Sequence, residues 1–161
     1  MKKLFLDTNI IIRLLRGEVE VADKIAAFDR IMISTVVLGE FKAGIDLGTS
    51  AGRAQKSALD ELLDSDYVEI APITEDISDE YARIFRVLKE KGAPIPLNDI
   101  WIAAQTMECG AWLYTGDSHF SLIPLIKLLC SCSSRTSASS SKASATGNEK
   151  QMRAAFKKTG K

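Results

Sequence analysis

Four acids, Asp7, Glu40, Asp99 and Asp117, stand where carboxylates can do chemistry. Asp7 closes the apolar run Lys3 to Leu6 and Asp117 follows the run Trp112 to Thr115. Both runs read as strands, and open parallel sheets bind ligands beyond the carboxyl ends of their strands. Asp99 lies at a helix start reached through a loop containing Pro94 and Pro96, and Glu40 projects from a helix that begins just after another strand. Taken singly, Asp7 and Asp117 suit turns, Asp99 a helix cap and Glu40 a solvated helix face. Glu40 fits its ordinary role least, because Val36, Val37, Leu38 and Phe41 leave little polar face around it. Together the four have a cost. Carboxylates about 5 Å apart repel by roughly 3 kcal/mol per pair at an effective dielectric near 20, so four converging acids would cost on the order of 10 to 20 kcal/mol without relief. They must take up protons or bind a cation. Oxygen donors without a cysteine or histidine partner select hard ions, Mg²⁺ or Mn²⁺, and such a centre can hold a phosphodiester and activate water.

The elements that must position these acids follow from periodicity. Strands are expected at 3–6, 31–33, 67–70, 112–115 and 125–129. Helices are expected at 10–15 and 19–28, from the Ser34 cap through Ile45, over 54–63, from the Thr74 cap through Leu88 until Gly92 stops it, and from an Asn98 or Asp99 cap through Met107, ended by Gly110. Residues 44–52 and 93–97 read as loops, and 116–120 as a polar turn. Strands alternating with helices imply a three-layer α/β/α sandwich around a central parallel sheet.

The 161 residues carry 21 basic and 21 acidic side chains, a formal net charge of zero that hides an asymmetry. Residues 131–161 hold seven basic residues and one acid, a net +6, so residues 1–130 carry −6. From Ser131 to Gly147, eight of seventeen residues are serine and none is a large apolar one, so this stretch cannot bury enough surface to fold. The expected division is a globular domain over 1–130 and a disordered, serine-rich basic tail over 131–161, either a flexible arm that attracts polyanions or a frameshift product. Cys109, Cys130 and Cys132 lack disulfide-framework spacing, Asp7 and Arg13 interrupt the lysine-led apolar N-terminus, and no apolar run reaches the roughly 20 residues of a membrane span. The reading is a soluble, cytoplasmic protein with reduced thiols and no membrane partner.

Four strings in order, KLFLDTN, STVVLGEF, PIPLNDIWIAA and LYTGDSHF, resemble the PIN domain family across residues 1–129, most closely its VapC-type toxins. The resemblance implies the three-layer fold and a Mg²⁺- or Mn²⁺-dependent endoribonuclease acting on tRNA or rRNA. It further implies a cognate antitoxin and a homodimer. It places Asp7, Glu40, Asp99 and Asp117 at the family's metal-binding acids, Thr8 and Asn9 as supports in the first motif, and Thr115 as the hydroxyl residue before the fourth acid. The expected mechanism has a metal on Asp7 and Asp99 aligning a water for in-line attack on phosphorus. Glu40 orients water or ligands, and Asp117 completes the site or recruits a second ion.

Because residues 1–130 are net acidic, RNA contact must come from local cations: Arg13 and Arg16 beside Asp7, and Lys42 near Glu40. His119, the sole histidine, reads as incidental in a surface turn. Two other readings remain: an RNA-processing nuclease of the same family without a toxin role, and a binding module that kept the fold and lost activity. An upstream reading frame for a DNA-binding antitoxin would favour the toxin. A phosphoacceptor fold is disfavoured, since its hydrolase pattern needs an acid where Asn9 stands.

Overall fold

Leu4, Phe5 and Leu6 are all fully buried, and three consecutive buried residues in one strand require cover on both faces of the sheet. In the computed structural model, which describes residues 1–130, they form β1 (Lys3–Leu6) at the centre of a five-stranded sheet. The other strands are β2 (Arg30–Ser34), β3 (Val68–Ala71), β4 (Trp112–Thr115) and β5 (Lys127–Cys130), in the order β3-β2-β1-β4-β5. All four pairings are parallel, with Leu4 opposite both Ile31 and Trp112. The helices are α1 (Thr8–Leu15), α2 (Val19–Ile25), α3 (Thr35–Ala43), α4 (Ser50–Leu63), α5 (Glu75–Glu90) and α6 (Leu97–Glu108).

The chain winds from β1 outward to β3, then crosses to the other side of β1 to form β4 and β5. Right-handed connections travelling in opposite directions put their helices on opposite faces, which makes the three layers. Within one layer α1 touches α2 and α4, in the other α5 lies along α6, and α3 touches both α1 and α6. The winding reverses between β1 and β4, so their carboxyl ends splay into the crevice where such sheets bind ligands. A helix leading into a strand runs antiparallel to it; α6 therefore starts over the same edge that β4 ends on.

Several expected boundaries shift for physical reasons. Helix α4 starts at Ser50 rather than 54, because the Thr49 side chain accepts from the Gly52 amide at 3.0 Å and caps it. Glycine is required at 52: a Cβ there would meet the Asp46 carbonyl oxygen at 1.8 Å. The last strand begins at Lys127, not Leu125, because Pro124 and Leu125 form a turn with Leu125 at φ 68, left-handed backbone that L-residues rarely adopt. The 116–120 segment, expected as a turn, leads into a 3₁₀ helix over Ser118–Leu122. Neither Asn98 nor Asp99 caps α6: Pro96 is its N-cap, and both polar residues lie inside the first turn. Ser34 caps α3 as expected, accepting from the Val36 amide at 3.0 Å. Thr74 is the N-cap of α5 without a side-chain cap bond. The expectation of a disordered tail at 131–161 lies outside the described residues.

One buried amide ties the two helices that carry acids. Gln105 of α6 is fully buried, donates to the Ala71 carbonyl at 2.8 Å and the Pro72 carbonyl at 3.1 Å, and accepts from the Ser34 hydroxyl. Ser34 thus caps α3 and holds α6 at once. No helix among the described residues is long and apolar enough to cross a membrane, and Cys109 is a half-buried free thiol.

Candidate active site

Asp7 sits at the end of β1, 6% exposed, and serves as N-cap of α1. Its backbone amide continues the ladder to β4 by donating to the Tyr114 carbonyl at 3.1 Å. The carboxylate is held at both oxygens: Oδ1 accepts from the Thr8 amide and Oδ2 from the Thr115 hydroxyl, each at 2.7 Å. Burial raises the Asp7 carboxyl above the ordinary 3.8, the bonds from Thr115 and Thr8 pull it back, and the charges of Asp117 and Glu40 push it up again. The net effect is a raised pKa, so ionised Asp7 carries a cost that a nearby cation would relieve.

Glu40 comes from α3 and is fixed by two donors, the Thr8 hydroxyl on Oε2 and the Asn98 amide nitrogen on Oε1, both at 2.7 Å. Asn98 is the residue that reading Asn98 or Asp99 as a cap concealed. With the helix starting two residues earlier, its side chain is free to reach across to α3.

Asp99 and Asp117 make the other half. Burial pushes the Asp99 carboxyl up to about 6, with the charges of Asp7 and Asp117 adding to it and His119 opposing. Asp117 caps the 3₁₀ helix: its Oδ1 accepts from the His119 amide at 3.0 Å, while its own amide donates to the Thr115 hydroxyl at 2.9 Å. That cap folds His119 back over the acids. Its Nδ1 lies 3.1 Å from Asp117 Oδ1 and 3.4 Å from Asp99 Oδ2. His119 is therefore not an incidental surface residue, and no short sequence pattern could have shown it, because the contact depends on a capped turn meeting a helix start.

Among the described residues, the ligand atoms of Asp99, Asp117 and His119 lie within 4.8 Å of one another, a grouping that includes neither Asp7 nor Glu40. All four acids are nonetheless electrostatically linked, since Asp7 acts on Asp99, and Asp117 and Glu40 act on Asp7. The donor set fits a divalent cation: carboxylates dominate it, and the Asp99 carboxyl is raised first by burial and then by the neighbouring charges of Asp7 and Asp117.

Beside Asp117 an open cavity of about 530 Å³ is lined by Asn9, Arg13, Arg16, Gly116 and Ser118, among others. Asn9 is exposed on this wall rather than bonded to the acids. Arg13 is committed to Glu18 at 2.7 Å, whereas Arg16 is exposed and has no ion-pair partner among the described residues. Lys42 is exposed two residues beyond Glu40.

A doubly wound parallel sheet with acidic side chains gathered at its switch point defines the class: a three-layer α/β domain with a carboxylate-lined crevice. Residues 4–124 match the PIN domain, and the chain belongs to that family. It is 30% identical over 120 residues to Ribonuclease VapC5 of Mycobacterium tuberculosis, covering 73% of this chain and 85% of that protein. It is 32% identical over 114 residues to Ribonuclease VapC1 of Haemophilus influenzae, covering 68% and 83%. Among solved structures it resembles VapBC2 from Rickettsia felis bound to a promoter DNA fragment, with TM-score 0.69 and 26% identity over 80% of this chain and 98% of that one. VapBC-5 from M. tuberculosis, a member of the VapBC family of toxin–antitoxin systems, matches with TM-score 0.63 and 28% identity over 81% and 98%.

Proposed function

We propose that this chain is a Mg²⁺- or Mn²⁺-dependent endoribonuclease and the toxin of a toxin–antitoxin pair. The observation that carries the reading is the convergence of Asp7, Glu40, Asp99 and Asp117 on one crevice, with hydroxyl and amide donors holding two of them. Relatives named ribonucleases, and neighbours solved as toxin–antitoxin complexes, support the substrate class and the antitoxin partner. Cytoplasmic action, a homodimer, and tRNA or rRNA as the target belong to the same reading.

Asp99 and Asp117 would hold the ion, and Asp7, expected from the sequence as a ligand together with Asp99, would add a negative charge that acts on both. A divalent ion there supplies Lewis acidity toward a phosphoryl oxygen and lowers the pKa of water. The Thr8 amide and the Thr115 hydroxyl hold both oxygens of Asp7 in one orientation at the crevice. Glu40, pinned by Thr8 and Asn98, orients the attacking water through the acceptor capacity it has left. The Asn9–Arg13–Arg16 wall lets a phosphodiester backbone approach from the side of Asp117, with Arg16 as the freer cation. Lys42 is a further backbone contact on the Glu40 side.

The test is cleavage of total and structured RNA by the purified full chain, with end mapping, in Mg²⁺, Mn²⁺ or chelator. Cleavage with either ion and none in chelator is expected; undiminished cleavage in chelator overturns the metal-dependent reading.

A further inference from the structure

The Asp117 cap turns the imidazole of His119 so that one ring nitrogen, Nδ1, faces both Asp99 and Asp117. Ligands at neighbouring corners of an octahedron with bonds of about 2.1 Å are separated by about 3 Å. The 3.1 Å spacing from Nδ1 to Asp117 Oδ1 matches that edge, and the 3.4 Å spacing to Asp99 Oδ2 is a small contraction away from it. At 46% exposure the ring is open to an ion arriving from solvent. A histidine that only paired with the acids would be displaced on metal binding; one that ligates would stay and change the character of the centre.

We propose that His119 Nδ1 is a direct ligand of the ion held by Asp99 and Asp117, giving a centre of two carboxylates and one imidazole that favours Mn²⁺ over Mg²⁺. The inference rests on the metal-dependent reading of the same site and adds to it the identity of a ligand and an ion preference. The chemistry follows from ligand preference: carboxylates suit both ions, Mg²⁺ demands oxygen and retains its waters, and Mn²⁺, although the weakest imidazole binder of the first-row divalent series, accepts a ring nitrogen more readily than Mg²⁺ does. Among the acids of the crevice only Asp99 and Asp117 have this ring against them. Asp7 and Glu40 have neutral hydroxyl and amide donors instead.

His119 is the only histidine in the chain, which makes the test unusually direct. Pulsed electron paramagnetic resonance of Mn²⁺ bound to the untagged full chain should show ¹⁴N modulation characteristic of a coordinated imidazole, and His119→Gln should abolish it while circular dichroism stays unchanged. Calorimetric titration with Mn²⁺ alone and Mg²⁺ alone should show the Mn²⁺ dissociation constant rising about tenfold or more in His119→Gln and His119→Ala, and that for Mg²⁺ changing less than about threefold. Mn²⁺ bound without nitrogen coupling overturns the ligand assignment and leaves the metal-dependent reading standing. Nitrogen coupling that persists in His119→Gln also overturns it, and equal weakening of both ions overturns the preference. Failure of the wild type to bind Mn²⁺ at all removes both.

Discussion

The two halves of the acidic crevice solve the same electrostatic problem differently. On one side, Asp7 and Glu40 are met by neutral donors: the Thr8 amide and hydroxyl, the Thr115 hydroxyl and the Asn98 amide. On the other, Asp99 and Asp117 share the imidazole of His119, and the Asp99 carboxyl rises to about 6. Neutral donors stabilise a carboxylate while leaving its negative charge in place, so the first half acts as a scaffold that presents charge. In the second half Asp99 is raised first by burial and then by its acidic neighbours, so a cation would gain most there.

The largest test of this contrast is Asp99→Asn. RNA cleavage should fall at least about a hundredfold. The Mg²⁺-dependent gain in stability, about 2.7 kcal/mol at a hundred times the dissociation constant in wild type, should nearly vanish in thermal melts. An equal Mg²⁺ response in both proteins would break the division into halves.

Next, Thr115→Val, which keeps shape and removes the donor to buried Asp7, should lower stability by about 1 to 3 kcal/mol in urea melts with or without Mg²⁺. Asp99→Asn should move the other way in chelator, because it removes like charges. A shared sign for the two variants in chelator would erase the distinction between scaffold and ion-binding sides.

Titration sharpens the same point. A carboxyl whose folded pKa is raised from 3.8 to about 6 binds more protons folded than unfolded between those values, so metal-free stability falls as pH rises from about 4 to about 6 and is level above. Partial exposure limits the fall to about 1 to 2 kcal/mol. Melts in chelator across this range should slope downward in wild type and clearly less in Asp99→Asn, whose remaining slope comes from Asp7.

The smallest effect belongs to the cavity wall. Arg16→Ala should weaken RNA binding across sequences and reduce the magnitude of the salt-dependence slope by about one, with stability unchanged within about 0.5 kcal/mol, as read by filter binding over a salt series.

Much of this centre was legible because strand ends are legible. Asp7 and Asp117 follow short apolar runs, and a parallel sheet carries such ends to one edge, so their convergence needed no tertiary knowledge. Asn98 and His119 were not legible. Asn98 looked like a cap because its side chain type suits one, and only the Pro96 start of α6 shows that it lies within the helix and reaches Glu40. His119 depends on Asp117 closing a 3₁₀ turn that the pattern of residues 116–120 left as an unspecified polar bend. Gln105 was hidden for a different reason: a polar residue within an apolar helix has no periodic signature, and its three partners lie in distant segments. Leu125 reads as the start of a strand because it is apolar, whereas its backbone turns left-handed, the residue is 85% exposed and β5 begins at Lys127.

The bond from Thr115 to Asp7 joins residues 108 positions apart. A ribosome makes Asp7 108 residues before Thr115, and Thr115 only after most of the domain has emerged. Until then β1 has one unpaired edge, and Asp7 lacks a hydroxyl that its burial requires. Asp99 and Asp117 also arrive late. The four acids can therefore come together only after β4 has been made and docks beside β1, and a chain interrupted before that strand lacks Thr115 and Asp117 altogether.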